Sequence, residues 1–159
     1  MSPPTLSPDL APLPADLSDV VRHLEAVWPE EGVGVLLRRG EAWRVRPLEN
    51  AYARAQAREP GRYPLSPSTA FFVEPKEWLS VCREADGAGE EVACLFHSHV
   101  ESGAWLSPED RAWAAPAGEP LLPGVSYLVV ALRGGRAQEA RVFWWQSGGF
   151  TWRLVTLSP

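Results

Sequence analysis

The sequence predicts one mixed α/β domain, a sheet flanked by helices. Three observations carry that reading. The chain has 159 residues, 45% apolar and 22% charged, which suits one hydrophobic core. Apolar residues recur at helical spacing in some segments and as short bounded runs in others. The segments follow the order helix, two strands, strand, helix, strand, helix, then three strands, with no internal repeat. Such an order is accommodated by layers of helix on sheet.

Residues 1–14 contain Pro3, Pro4, Pro8, Pro12 and Pro14. Residues 1–15 therefore read as a flexible tail, ahead of a domain over 16–159. A helix fits 16–28, because Leu17, Val20, Val21, Leu24 and Trp28 fall on one face. Asp16 or Ser18 could cap it, and Pro29 ends it. Val33 to Leu37, bounded by Arg39-Gly40, pairs with Trp43 to Leu48 as a hairpin. Residues 50–68 read as a surface connection and Thr69 to Val73 as a strand. Pro75 opens a helix through Ala85, with Trp78, Cys82 and Ala85 on one face, and 86–89 is a turn. Val92 to Phe96 is a buried strand, and a short helix runs from Ser107 to Ala114. Residues 116–124 form a loop. Val125 to Leu132 is a strand, and Glu139 to Trp145 and Phe150 to Leu157 form a hairpin turning at Ser147-Gly148-Gly149.

Composition narrows the function. The net charge of −5 and pI of about 5.2 make nucleic acid a poor partner, since an acidic chain repels phosphate backbones. Fourteen arginines against the single Lys76 read as codon bias. Two cysteines, Cys82 and Cys94, are too few for a disulfide framework. The start of the chain shows no basic-then-apolar leader pattern, and no apolar run reaches membrane-spanning length. A cytoplasmic protein without membrane partners is expected.

The chemistry concentrates in His97-Ser98-His99, followed after seven residues by Ser107-Pro108-Glu109-Asp110. Side chains alternate in an extended segment, so His97 and His99 point one way and Ser98 the other. Two imidazoles on one side can hold one metal ion, and Asp110 can return an oxygen ligand from the following helix. Three protein ligands with an open fourth position suit a catalytic zinc (Zn2+), which brings the pKa of its water to about 7. A hydrolase also needs a proton carrier. Glu31, just before the first buried strand, is the candidate, with Glu30 beside it as the rival.

A glutamate before the first strand, then His-x-His, seven residues and Ser-x-x-Asp resembles the JAMM motif of the Mov34/JAB1 metallopeptidases. The matching positions are Glu31, His97, His99, Ser107 and Asp110. Pro29 to Leu37 and Leu95-Phe96 resemble the family's opening and approach strands, and the likeness covers roughly 16–157. The resemblance implies the JAB1/MPN fold, similar to that of cytidine deaminases. It also implies zinc on His97, His99 and Asp110, Glu31 as general acid/base and Ser107 as oxyanion donor. Ser98 would be a supporting residue, and Ser98, Val100 and Trp105 are the candidate substrate contacts. The implied substrate is a ubiquitin-like or sulfur-carrier protein, cut after its C-terminal Gly-Gly as a peptide or isopeptide; a homodimer is the assembly kept open. Val33 and Val100 stand where many relatives carry Cys and Pro.

Each element also has a plainer reading. Ser107, Pro108 and Asp110 are what a helix start wants in any case, and Cys94 fits a buried inert thiol better than a ligand. Trp43, Trp144, Trp145 and Trp152 read as strand packing, whereas Trp105 sits in the motif loop. The Gly134-Gly135 and Gly148-Gly149 pairs read as hairpin turns. Two other functions compete with hydrolysis. An inactive interaction scaffold has no need of the whole five-residue set, and a RadC-like DNA-associated role conflicts with the acidic pI.

Overall fold

The computed structural model describes residues 10–157. In chain order its elements are α1 (Ser18–Val27), β1 (Val33–Arg39), β2 (Ala42–Leu48), α2 (Tyr52–Arg58), α3 (Pro75–Ala88), β3 (Glu91–Val100), α4 (Pro108–Ala114), β4 (Ser126–Arg133), β5 (Arg136–Gln146) and β6 (Gly149–Val155). The strands form one sheet in the order β2-β1-β3-β4-β5-β6. Neighbours run antiparallel except β3 and β4, which are parallel. A parallel pair needs a crossover, and here the crossover contains α4.

Strand alternation divides the core between the two faces of the sheet. On one face Val33, Val35, Leu37 and Leu95 pack with Val81 and Ala85 of α3 and Ala114 of α4. On the other, Leu36, Cys94 and Phe96 pack with Leu17, Val20 and Leu24 at α1. Burying such side chains stabilises the fold by about 1.5–3 kcal/mol each. The second face requires a glycine. Gly34 is the register partner of Phe96, and a Cβ on Gly34 would lie 2.2 Å from the Phe96 ring.

The turns and the helix-opening prolines behave as the sequence suggests. Gly134 and Gly135 both have positive φ at the β4–β5 turn, as do Ser147 and Gly148 at the β5–β6 turn, the geometry that tight hairpins favour. Pro75 and Pro108 open their helices. The expected cap of α1 is corrected: Leu17 holds the cap position without a side-chain bond, Ser18 is the first helical residue, and Asp16 accepts from the Ser18 backbone N–H at 2.8 Å. No helix of the described residues is long and apolar enough to cross a membrane.

Several expectations are corrected. Residues 69–73 form no strand; their backbone is held by Asn50, whose Oδ1 accepts from Phe72 N, while Ala51 N donates to Phe72 O. The connection over 50–68 contains α2, in keeping with the helix propensity of its Ala, Arg and Gln. Helix α3 runs three residues past Ala85 before Gly89 closes it in the left-handed region, and its buried residues are Val81 and Ala85 rather than Cys82. Strand β3 continues through Val100, so the two histidines lie within it. Most of the expected tail, residues 1–9, lies outside the described residues, but Ala11 and Leu13 pack against the α1-side core.

Candidate metal centre

His97 and His99 occupy alternate positions of β3 on the α3/α4 face. Both are buried, at 1% and 7% exposure. Asp110 comes from the first turn of α4, where the sequence sets a capping box. The Ser107 hydroxyl accepts from Asp110 N at 3.0 Å, and Asp110 Oδ2 accepts from Ser107 N at 3.0 Å. The cap therefore does not compete with a ligand role: it aims the same carboxylate oxygen at the histidines. Asp110 Oδ2 lies 3.2 Å from His97 Nε2 and 3.0 Å from His99 Nε2, and the two Nε2 atoms are 3.1 Å apart.

These three atoms test the fit of a metal. Tetrahedral bonds of roughly 2.0–2.1 Å place donor atoms about 3.3–3.4 Å apart, a few tenths of an ångström beyond the spacing here. The tautomer also fits. His99 Nδ1 is 3.0 Å from the Gly103 carbonyl oxygen, so Nδ1 carries a proton and Nε2 is the nitrogen turned to the cluster, where it donates to Asp110 when protonated and would offer its lone pair to a metal in place of that proton. His97, His99 and Asp110 are the group of ligating side chains found close enough together among the described residues.

Electrostatics follow from burial. Desolvation alone would raise the Asp110 carboxyl, but the charge of His97 and hydrogen bonds from both histidines and Ser107 N outweigh it and hold Asp110 well below the usual carboxylate range. Burial pulls His99 down, yet the hydrogen bond and charge of Asp110, with the charge of Glu31 and the Gly103 carbonyl, carry it above its ordinary value.

Glu31 is 4% exposed, whereas its rival Glu30 is exposed. Its Oε1 lies 4.0 Å from His99 Nε2, and its buried Oε2 has no hydrogen-bond partner. Desolvation raises its pKa to about 7 against the lowering effect of His97 and His99. A carboxyl with an unpartnered buried oxygen and a pKa near neutrality can both take and give a proton. Its backbone is pinned on both sides. Glu31 N donates to Pro67 O, and Asn50 Nδ2 donates to Glu31 O at 2.9 Å.

The remaining expected positions fall in different places. Ser98 is fully buried on the α1 face, and its Oγ accepts from Gly32 N at 2.8 Å. It supports the residue next to Glu31 and does not line the cleft. Val100 is half-buried at the end of β3. Trp105 is 45% exposed, with its ring over Arg141 (3.9 Å) and against Trp152 (4.9 Å). Cys94 lies on the opposite face from the histidines, with burial pushing its thiol up to about 12.

Sequence reasoning missed Phe71, whose ring centroid is 4.8 Å from that of His97. Together with Thr69, Ala70 and Trp113 it lines a cleft that reaches Ser107 and Asp110. It also missed Asn50, which binds Glu31, Pro67 and Ala70 carbonyls through Nδ2. Neither had a local signal, because their partners lie far along the chain.

Comparison with known proteins places this geometry in context. A family model described as prokaryotic homologues of the JAB domain matches residues 14–147. A Thermus thermophilus protein named a probable TtuB-protein conjugate cleaving protease is 30% identical over 103 residues; the match spans 63% of this chain and 62% of that protein's length. A solution structure from Desulfitobacterium hafniense aligns with a TM-score of 0.64 at 23% identity, covering 90% of this chain and 88% of its own. One from Salinibacter ruber aligns at 0.50 and 20% identity, covering 87% and 84%. These two structures share the fold.

Proposed function

Because the chain belongs to the family of prokaryotic homologues of the JAB domain, we propose that it is a zinc-dependent peptidase or isopeptidase. Its substrate would be a sulfur-carrier or ubiquitin-like protein, cleaved after the C-terminal Gly-Gly. The observation that carries the reading is the convergence of His97 Nε2, His99 Nε2 and Asp110 Oδ2 beside the buried Glu31 carboxyl. The Thermus relative's name supports the substrate class.

The donor set, two imidazole nitrogens and one carboxylate oxygen, suits zinc. When bound, such an ion supplies Lewis acidity and a water of lowered pKa. The chain's own residues do the rest. Glu31 takes a proton from the attacking water and passes it to the leaving nitrogen, a shuttle its raised pKa favours. Ser107 uses an oxygen lone pair to cap α4, which leaves its hydroxyl hydrogen free to donate to the developing oxyanion. Phe71 and Trp113 line the approach to Asp110, and Trp105 and Val100 stand on the flanking segment. A Gly-Gly tail, having no side chains, would pass such walls most easily.

Three fusions of one reporter test this: a β-grasp carrier ending in Gly-Gly, the same carrier ending in Gly-Val, and an unrelated unstructured peptide. Zinc-loaded protein should cut only the first, immediately after the second glycine. Equal cleavage of all three would replace the carrier reading with a general peptidase, and cleavage undiminished by metal removal would end the zinc reading.

A further inference from the structure

Two strands away from His99, a carboxylate stands in the same row of the sheet. His99 pairs with Ala131 on β4, and Ala131 pairs with Glu139 on β5. Paired residues share a face, so all three point to the α3/α4 side. Ala131 is small and leaves the space above it open to the loop that follows β3. That loop carries Gly103, whose carbonyl meets His99 Nδ1.

Glu139 grips the same peptide from its N–H side. Its Oε1 accepts from Ala104 N at 3.0 Å and from Arg141 at 3.1 Å. The Arg141 guanidinium lies 3.9 Å from the centre of the Trp105 ring and 5.1 Å from that of Trp152. The loop is thus held by its backbone at 104 and its side chain at 105. The packing is close: a Cβ on Gly103 would meet Trp105 at 3.0 Å and Glu139 Oε1 at 3.5 Å.

We propose that Glu139 is a positioning residue for His99, holding the Gly103–Ala104 peptide so that the Gly103 carbonyl keeps the proton on Nδ1 and leaves Nε2 to the metal. The inference rests on His97, His99 and Asp110 forming a metal site. A partner that fixes a ligating histidine's second nitrogen is worth about 10–100-fold in metal affinity. Glu139 acts one step further out, through a backbone carbonyl it does not touch.

The test uses Glu139→Ala and Glu139→Gln in the full chain, with two readouts. The first is zinc affinity, measured by competition with a chromophoric chelator. The second is the His99 Nδ1–H signal in proton–nitrogen correlation spectra, whose slow exchange with water reports its bond to the Gly103 carbonyl; with three histidines in the chain, the assignment is simple. Glu139→Ala should bind zinc about 10-fold more weakly or worse and make the Nδ1 proton exchange faster. Glu139→Gln, whose amide oxygen still accepts from Ala104 N–H, should restore both. Should Glu139→Ala not fold, Glu139→Met removes the acceptor while keeping side-chain length. Unchanged affinity, or an unchanged exchange rate of the Nδ1 proton, would each overturn the proposal. Wild-type protein that binds no zinc would sink the metal reading instead, and the exchange of the Nδ1 proton alone would then decide whether Glu139 positions His99.

Discussion

Replacing Glu31 by glutamine should stabilise the metal-free protein at alkaline pH while removing its hydrolytic activity. Burial moves the Glu31 carboxyl from an ordinary 4.5 to about 7. Between those values the folded state binds a proton that the unfolded state has released. The stability contributed by the protonated carboxyl is complete below 4.5 and is lost as pH rises through 7. At 1.36 kcal/mol per pH unit, that interval is worth about 3 kcal/mol. Glutamine has the same shape and no charge to bury, so it escapes the loss. In chelator, the gap in unfolding free energy between Glu31→Gln and wild type should widen by about 3 kcal/mol from about pH 4.5 to about pH 8.5. Urea titrations at several pH values measure it directly. With zinc restored, the same variant should keep its metal and lose about 10²–10⁴-fold in hydrolysis. A stability gap that stays constant with pH would refute the reasoning, since the carboxyl would then titrate alike in both states.

Other substitutions separate the site's parts. His97→Ala and Asp110→Ala should each lose most bound zinc, read by elemental analysis of purified protein; full occupancy in both would disprove the ligand assignment. Ser107→Ala should keep zinc, lose about 1 kcal/mol of stability with its cap, and slow turnover by roughly 10²–10³; a lower melting temperature at unchanged rate would leave only the cap. Gly34→Ala should cost about 1–3 kcal/mol by overpacking against Phe96, seen as a lower urea midpoint at unchanged slope, and an unshifted midpoint would mean that the ring moves freely.

The legible parts of this molecule are those whose cause is local. The alternation in His97-Ser98-His99 sends two rings to one face and the hydroxyl to the other, and that is where they lie. Ser107-Pro108-x-Asp110 specified a helix start, and the same cap turns Asp110 Oδ2 toward the two histidines. Gly134-Gly135 marked the β4–β5 turn, while the β5–β6 turn is Ser147-Gly148, with Gly149 already opening β6. The illegible parts depend on partners far along the chain. Residues 69–73 have strand-forming composition, but Asn50 captures their backbone from 22 residues away. Glu139 acquires its role only through a register spanning three strands. Helix α2 is different: its alanines and arginines favour a helix, and the missing apolar stripe hid it.

The two halves of the site differ in how far the chain must travel to make them. His97 and Asp110 are 13 residues apart, whereas the bond between Gly32 and Ser98 that seats the stretch around Glu31 spans 66. Closing the longer loop costs about 1.4 kcal/mol more in chain entropy. Under the proposed reading, the three donor atoms belong to one short fragment, and Glu31 joins them only when β1 docks on β3. A chain in which β1 has come away from β3 would then keep the donors within one fragment and lack the proton carrier. Proteolysis, as distinct from metal capture, would be reserved for the finished sheet.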